Sequence, residues 1–291
     1  MTTERTYTIT ISCPDQVGIV AAVSRFIADR GGWITEANHH SDRALKRFFM
    51  RQVILADSLT DGDQAIERFQ RDFTPMARGF DMTWSISDSG VRKRAVLLVS
   101  KYDHCLVDLL YRWRSGELKC EIPGVISNHE DLRGLVEGHG IPYHHVPVPK
   151  DEAGKRAAFE EVEDRFIELR GDVMVLARYM QILPREMTAR FPGRIVNIHH
   201  SFLPSFIGAR PYHQAFARGV KLIGATAHYV TQDLDEGPII EQDVVRIDHG
   251  DVEEDLIRYG RDIEKSVLAR ALKYHLEDRV LLAGNRTVVF R

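Results

Sequence analysis

Between Arg94 and Val220 the chain carries four short apolar runs, "RAVLLVS", "CEIPGVISN", "DVMVLAR" and "RIVNIHH". The first and third are apolar almost without interruption, so as strands they would be covered on both faces. That is the pattern of strands inside a parallel sheet. Parallel strands need crossover connections of helical length. The chain supplies them as "DHCLVDLLYRWRSGEL", "DLRGLVEGHG" and "DEAGKRAAFEEVEDRFIELR", with a further strand at "PYHHVPV". The alternation predicts an α/β domain with a doubly wound, mostly parallel, Rossmann-like sheet. "KLIGATAHYV" and "PIIEQDVVRI" read as a strand pair joined by "TQDLDEG", and "DVEEDLIRYGRDIEKSVLARALKYHLEDRV" as one long amphipathic helix.

The first 86 residues follow a different rhythm. "TYTITIS" alternates apolar and polar, "IVAAVSRFIADRGG" is helical and ends on a Gly-Gly stop signal, and "WITEANHH" and "KRFFMRQVILA" are strands. "DGDQAIERFQRDFTPMA" is a second helix and "FDMTWSIS" a last strand. Asp15 or Gln16 is expected to cap the first helix. The order βαββαβ predicts a ferredoxin-like domain over 1–86. The polar stretch "SDSGVRKR" reads as a linker over 87–93, and the α/β domain is expected over 94–291.

Bulk properties exclude several classes. Net charge is −3, with both signs mixed along the 291 residues, so neither nucleic acid nor a membrane surface is an expected partner. No apolar run reaches the ~20 residues of a membrane helix. "MTTERTYTIT" lacks the layout of a secretion signal, and the three cysteines, Cys13, Cys105 and Cys120, form an odd set without metal-ligand spacing. A cytoplasmic location is the expectation.

Chemistry concentrates in "NIHHSFLPSFIGARPYHQAFARGV" and "QDLDEGP". At the carboxyl end of a strand, Asn197 and His199 share a face, whereas alternation turns His200 away. An amide that donates without titrating and an imidazole that donates or moves a proton suit an oxyanion. Asp233 and Asp235 are the nearby carboxylates, and Asp235, next to Gly237-Pro238, is the better placed. The histidines at 199, 200, 213 and 228 lack zinc-hydrolase spacing, so no metal is expected. Ser201 and Ser205 lie outside any nucleophile elbow.

These residues carry a resemblance. "NIHHSFLPSF", "SFIGARPYHQAFARGVK" and "GATAHYVTQDLDEGPIIEQ" resemble the signature of the folate-dependent formyltransferase fold, over residues 94 to about 285. The resemblance implies that Asn197, His199 and Asp235 surround the formyl carbon of 10-formyltetrahydrofolate. It also implies that "LARYMQILP" faces the pterin through Met180, Gln181, Ile182 and Leu183, that Gln232, Asp233 and Leu234 close the other side, and that Thr226 belongs to the pocket. Gln181 stands where relatives often have a basic residue.

The loop after the first strand of the α/β domain reads "SKYDHCLVDLL", without a glycine and with Asp103, which disfavours a phosphorylated acceptor. The N-terminal domain resembles an ACT domain. Together these features resemble the branch of the family that passes the formyl group to water, giving tetrahydrofolate and formate, in one-carbon metabolism and purine biosynthesis. Folate is then the substrate, and no metal or other cofactor is implied. Transfer to a small non-phosphorylated amine is the alternative, and a non-catalytic amino-acid sensor a more distant one. The ACT resemblance implies a homo-oligomer, dimer or tetramer, and an amino-acid effector near Asp15, Gly18 and Asn38. Leu203-Pro204 is a candidate cis peptide bond.

Overall fold

The computed structural model describes residues 4–60, 65–204 and 211–291. Ser205 and the rest of the segment 205–210 therefore lie outside the described residues. The chain forms two compact units. One holds the residues through Arg92 together with Glu277–Ala283 and Val288–Arg291; the other holds Lys93–Leu276 and Gly284–Thr287.

The first unit runs β1 (Thr6–Pro14), α1 (Ile19–Ala28), β2 (Ile34–Asp42), β3 (Arg47–Leu55), α2 (Ala65–Gly79) and β4 (Thr83–Asp88). The strands form an antiparallel sheet in the order β2-β3-β1-β4. β1 alternates buried and half-buried residues, and its inward set, Tyr7, Ile9, Ile11 and Cys13, packs on Val23 and Ile27 of α1 and Phe69 and Phe73 of α2. β3 does not alternate, because its second face is covered as well: Phe49 packs with Leu281, Ala283 and Phe290. Neither Asp15 nor Gln16 caps α1. Gly18 takes the N-cap position with φ 96°, a left-handed conformation that favours glycine and that carries no side-chain cap.

The second unit runs β5 (Lys93–Val99), α3 (His104–Arg114), β6 (Cys120–Glu121), β7 (Val125–Ser127), α4 (Arg133–Glu137), β8 (Tyr143–His145), α5 (Glu152–Glu168), β9 (Val173–Leu176), α6 (Arg185–Arg190), β10 (Ile195–His199), α7 (Pro211–Arg218), β11 (Leu222–Tyr229), β12 (Ile239–Arg246) and α8 (Glu253–Leu276). β13 (Val280–Ala283) and β14 (Arg286–Val289) end the chain. The sheet order is β12-β11-β10-β9-β5-β7-β8, with β6 beside β5. Strands β8 to β10 are parallel, and β11 and β12 are antiparallel. This is the α/β architecture that the apolar runs predict.

Three boundaries differ from the sequence reading. β4 extends through Asp88 and β5 begins at Lys93, so only residues 89–92 separate them, not 87–93. "CEIPGVISN" is broken into β6 and β7 around Pro123-Gly124, where the proline lacks a ladder donor. The long helix stops at Leu276, and the chain's last residues divide between the units. Leu281, Ala283 and Phe290 belong to the first because they cover Phe49.

In the second unit the chain order 8-7-5-9-10 reverses between β5 and β9, which is where such sheets open a crevice at their carboxyl ends. Ser100 bridges that point: its hydroxyl donates to Asn128 Oδ1 (2.6 Å) and accepts from the Met180 backbone N–H (3.0 Å). This holds the segment 178–183 across the mouth of the crevice.

Candidate active site

β10 ends beside β9 and β11, and its register fixes which side chains meet. Asn197 stands level with Leu176 on one side and opposite His228 on the other; His199 stands opposite Thr226. Beyond β11 the chain turns back through 231–238 and delivers Asp235 to the same point. A Cβ at Gly237 would lie 1.7 Å from the Tyr229 carbonyl oxygen, so only glycine lets this turn close on the end of β11. Asp235 itself has φ 57°, a left-handed conformation that short polar residues tolerate. The preceding Leu203-Pro204 peptide is cis.

The structure brings all three expected catalytic residues together. Asp235 Oδ2 lies 3.3 Å from His199 Nδ1, and its Oδ1 lies 3.7 Å from His228 Nε2. His199 is 5% exposed, and its other nitrogen, Nε2, is buried with no hydrogen-bond partner among the described residues. An orphaned polar atom at the wall of a cleft is a place for a ligand atom. Burial raises the Asp235 carboxyl, but hydrogen bonding and charge from His199 and then His228 outweigh it, so the group sits well below the usual carboxylate range. It is an anion at neutral pH.

His228 is a site residue that the sequence reading passed over. Its Nδ1 donates to the Tyr229 carbonyl (2.9 Å), which turns Nε2 toward Asn197 and Asp235. Asn197 Nδ2 is 3.2 Å from that nitrogen, closer than Asp235 is. One amide hydrogen of Asn197 is thereby engaged and the second is free for the cleft. The strand alternation of "TAHY", which puts Thr226 and His228 on one face, was the available signal.

The cleft has a volume of about 700 Å³. Met180, Gln181, Ile182 and Leu183 line it, together with Gln232 and Leu234. Two expected folate contacts are not on its wall. Asp233 is exposed and faces Arg185 at 3.9 Å. Thr226 is fully buried: its hydroxyl donates to the Ser201 carbonyl (2.9 Å) and accepts from Leu203 N–H (3.1 Å) and Gln242 Nε2 (2.9 Å). It shapes the loop after β10 instead of touching the cleft. His200 also departs from expectation, because β10 ends at His199 and alternation ends with it. His200 lines the cleft with its ring 5.2 Å from that of His199. Burial, with Arg178 adding to it, lowers its pKa to about 4, so it is neutral. His213 lines the mouth and pairs with Glu253 (3.0 Å).

The far end of the cleft holds a polar cluster. Glu264 of α8 is 1% exposed; Oε1 accepts from the Tyr212 hydroxyl (2.6 Å) and Oε2 from His104 Nε2 (2.8 Å), with Arg178 Nε at 3.4 Å. Burial raises the Glu264 carboxyl, but His104, Arg178 and Tyr212 together bring it below its ordinary value. His104, Cys105 and Glu264 offer three potential metal-ligand atoms within 4.8 Å of one another. Both carboxylate oxygens are already engaged and the Arg178 cation stands beside them, so the cluster neutralises itself.

In the first unit, Asp15 and Gly18 share the β1–α1 turn, where Ser41 of β2 donates to Asp15. Asn38 lies farther along β2 and donates to Glu36 (2.7 Å).

The sequence profile of the formyl transferase family matches residues 93–272. The formyltetrahydrofolate deformylase of Bacillus subtilis (strain 168) is 50% identical over 285 residues, covering 96% of this chain and 92% of its own. The crystal structure of a formyltetrahydrofolate deformylase from Pseudomonas syringae pv. tomato superimposes with a TM-score of 0.96 at 57% identity, covering 100% of this chain and 96% of that one. The corresponding enzyme of Burkholderia mallei gives 0.92 at 47% identity, over 99% and 100% of the two chains.

Proposed function

The chain belongs to the formyl transferase family and to the formyltetrahydrofolate deformylases within it, which hydrolyse 10-formyltetrahydrofolate to tetrahydrofolate and formate, and we propose that Asn197, His199 and Asp235 carry that hydrolysis. The observation behind the proposal is the buried, unpartnered Nε2 of His199, whose opposite nitrogen faces Asp235. With Nδ1–H directed at the carboxylate, an imidazolium presents Nε2–H to the formyl oxygen. The free amide hydrogen of Asn197 supplies a second donor. Together they stabilise the tetrahedral oxyanion that forms when water adds to the formyl carbon.

Asp235 holds the attacking water. Its depressed pKa makes it a weak terminal base, so it relays a proton and does not keep it. The water oxygen bonds to the formyl carbon, the carbon–N10 bond breaks, and N10 takes one water proton by way of Asp235. The second proton leaves formic acid for solvent, leaving formate. Met180 to Leu183 and Gln232 with Leu234 hold the pterin between them. No metal or organic cofactor enters this chemistry.

Incubation with 10-formyltetrahydrofolate and no amine tests the reading. Formate is expected over many turnovers. His199→Ala is expected to lower kcat by roughly 10²–10³ while folate still binds. Undiminished formate release from His199→Ala refutes the assignment, and product only on adding an amine favours the transferase alternative.

The β1–α1 turn with Asp15 and Gly18 is proposed to bind a small amino acid, with Asn38 of β2 as a more distant contributor, in a homo-oligomer. Calorimetry with glycine and methionine tests the effector, and absence of heat with either refutes it; sedimentation gives the assembly. No helix among the described residues is long and apolar enough to cross a membrane, and the three cysteines are buried and form no disulfide among the described residues. A cytoplasmic location fits both.

A further inference from the structure

Arg178 is a buried cation that the hydrolytic mechanism leaves unused. It stands two residues past Leu176, the end of β9, and lines the same cleft as Asn197 and His199. Its φ of 64° turns the chain out of the strand, and the residue is 9% exposed on the cleft wall. The Tyr102 ring covers one face of the guanidinium at 5.2 Å. The nearest carboxylate oxygen, Glu264 Oε2, is 3.4 Å from Nε, close enough for charge attraction but without a hydrogen bond. That carboxylate is occupied by Tyr212 and His104. A guanidinium has five N–H donors. None of those on Arg178 has a hydrogen-bonded acceptor among the described residues.

Buried donors without acceptors are costly, and a planar fork of them matches a carboxylate. The reaction makes a carboxylate in this cleft. Formate arises next to the Asp235 anion, which repels it, in the cleft whose wall Arg178 also lines. We propose that Arg178 is the docking point of the product formate, accepting it from the His199–Asp235 end of the cleft before release. Glu264 balances the guanidinium charge, which keeps the hold weak enough to turn over. Arg178 makes and breaks no covalent bond here; it receives the anion left once N10 and solvent have taken the two water protons. The proposal rests on the hydrolytic reading above.

Carbon-13 formate titrated into the full-length protein tests it, with line broadening reporting binding in the presence of tetrahydrofolate. The wild-type chain is expected to broaden the signal saturably. Arg178→Met is expected to need about tenfold more formate or worse for the same effect, as loss of a charge-assisted hydrogen-bond pair implies. Arg178→Lys, which keeps the charge without the fork, is expected to fall between them. It carries the comparison if the methionine variant fails to fold by near-ultraviolet circular dichroism. Equal formate binding by wild type and a folded variant overturns the proposal. So does absence of formate binding in a wild-type protein that still releases tetrahydrofolate, an outcome that leaves the hydrolytic reading standing. A wild-type chain with no acceptor-free turnover sinks that reading instead, and the product site with it.

Discussion

Replacement of Asp235 by asparagine isolates the charge at the centre of the site. Asparagine keeps the volume, and it tolerates the left-handed φ of 57° at this position as well as aspartate does. The turn set by Gly237 should therefore survive, and with it the folate-facing wall at Gln232 and Leu234. What disappears is the anion 3.3 Å from His199 Nδ1. For a partly buried pair at this separation, with an effective dielectric near 20, the attraction is about 5 kcal/mol. The imidazolium that donates to the oxyanion loses that support, so kcat should fall about 10³–10⁴-fold. Continuous measurement of tetrahydrofolate formation without an amine gives kcat, and fluorescence titration with a non-hydrolysable folate gives binding. Binding is expected to stay within about threefold, well under the tenfold that 1.4 kcal/mol produces. A variant with wild-type kcat refutes the role of Asp235. A variant that loses binding and turnover in parallel refutes the view that the carboxylate acts on substrate already held.

The same carboxylate sets an acid limit. Its folded-state pKa is depressed, so its stabilisation is complete above the unfolded value of about 4 and is lost as pH falls toward the lower folded value. Thermal melts from pH 6 to 3 should show wild type losing more than Asp235→Asn; parallel losses contradict the ion-pair account. His228→Leu removes the acceptor that orients the Asn197 amide, and should lower kcat about tenfold, the worth of one hydrogen bond, with KM unchanged. A change in KM alone would argue against an orienting role. Gly237→Ala forces a methyl onto the Tyr229 carbonyl; it should cost about 1–3 kcal/mol of stability and shift Asp235, reducing kcat as well. An alanine variant with unaltered melting and turnover would show that the turn has another way to close.

The sheet and the shared face of Asn197 and His199 are legible because they rest on local rules. Continuous apolar runs such as Val96–Val99 can only be strands covered on both faces. Asn197 and His199 share a face through strand alternation alone. The errors mark where local rules stop. Alternation extended one residue beyond the strand predicts the far face for His200, but β10 ends at His199 and the backbone there no longer obeys it. The resemblance places Thr226 in the pocket, but its hydroxyl is consumed by three partners in the layer beneath. His228 and Glu264 were invisible as partners because their meanings come from pairings 31 and 52 residues away, with Asn197 and Tyr212. A charged residue at an inward position of α8, four residues after the buried Gly260, was the one local hint that a polar cluster must answer it.

The Glu264 cluster also bears on how such an enzyme changes over time. Its members come from α3, α7, α8 and the loop after β9, four separate stretches of the chain. Removing any one cation or donor leaves Glu264 buried and short of a partner, and breaking a buried pair from one side costs about 3–5 kcal/mol. Stability margins of natural domains are of the same order as that loss. A chain that enlarged this end of the cleft for a bulkier acceptor would therefore have to exchange several of these residues together. Single substitutions along that route are selected against by folding before any new acceptor can be used.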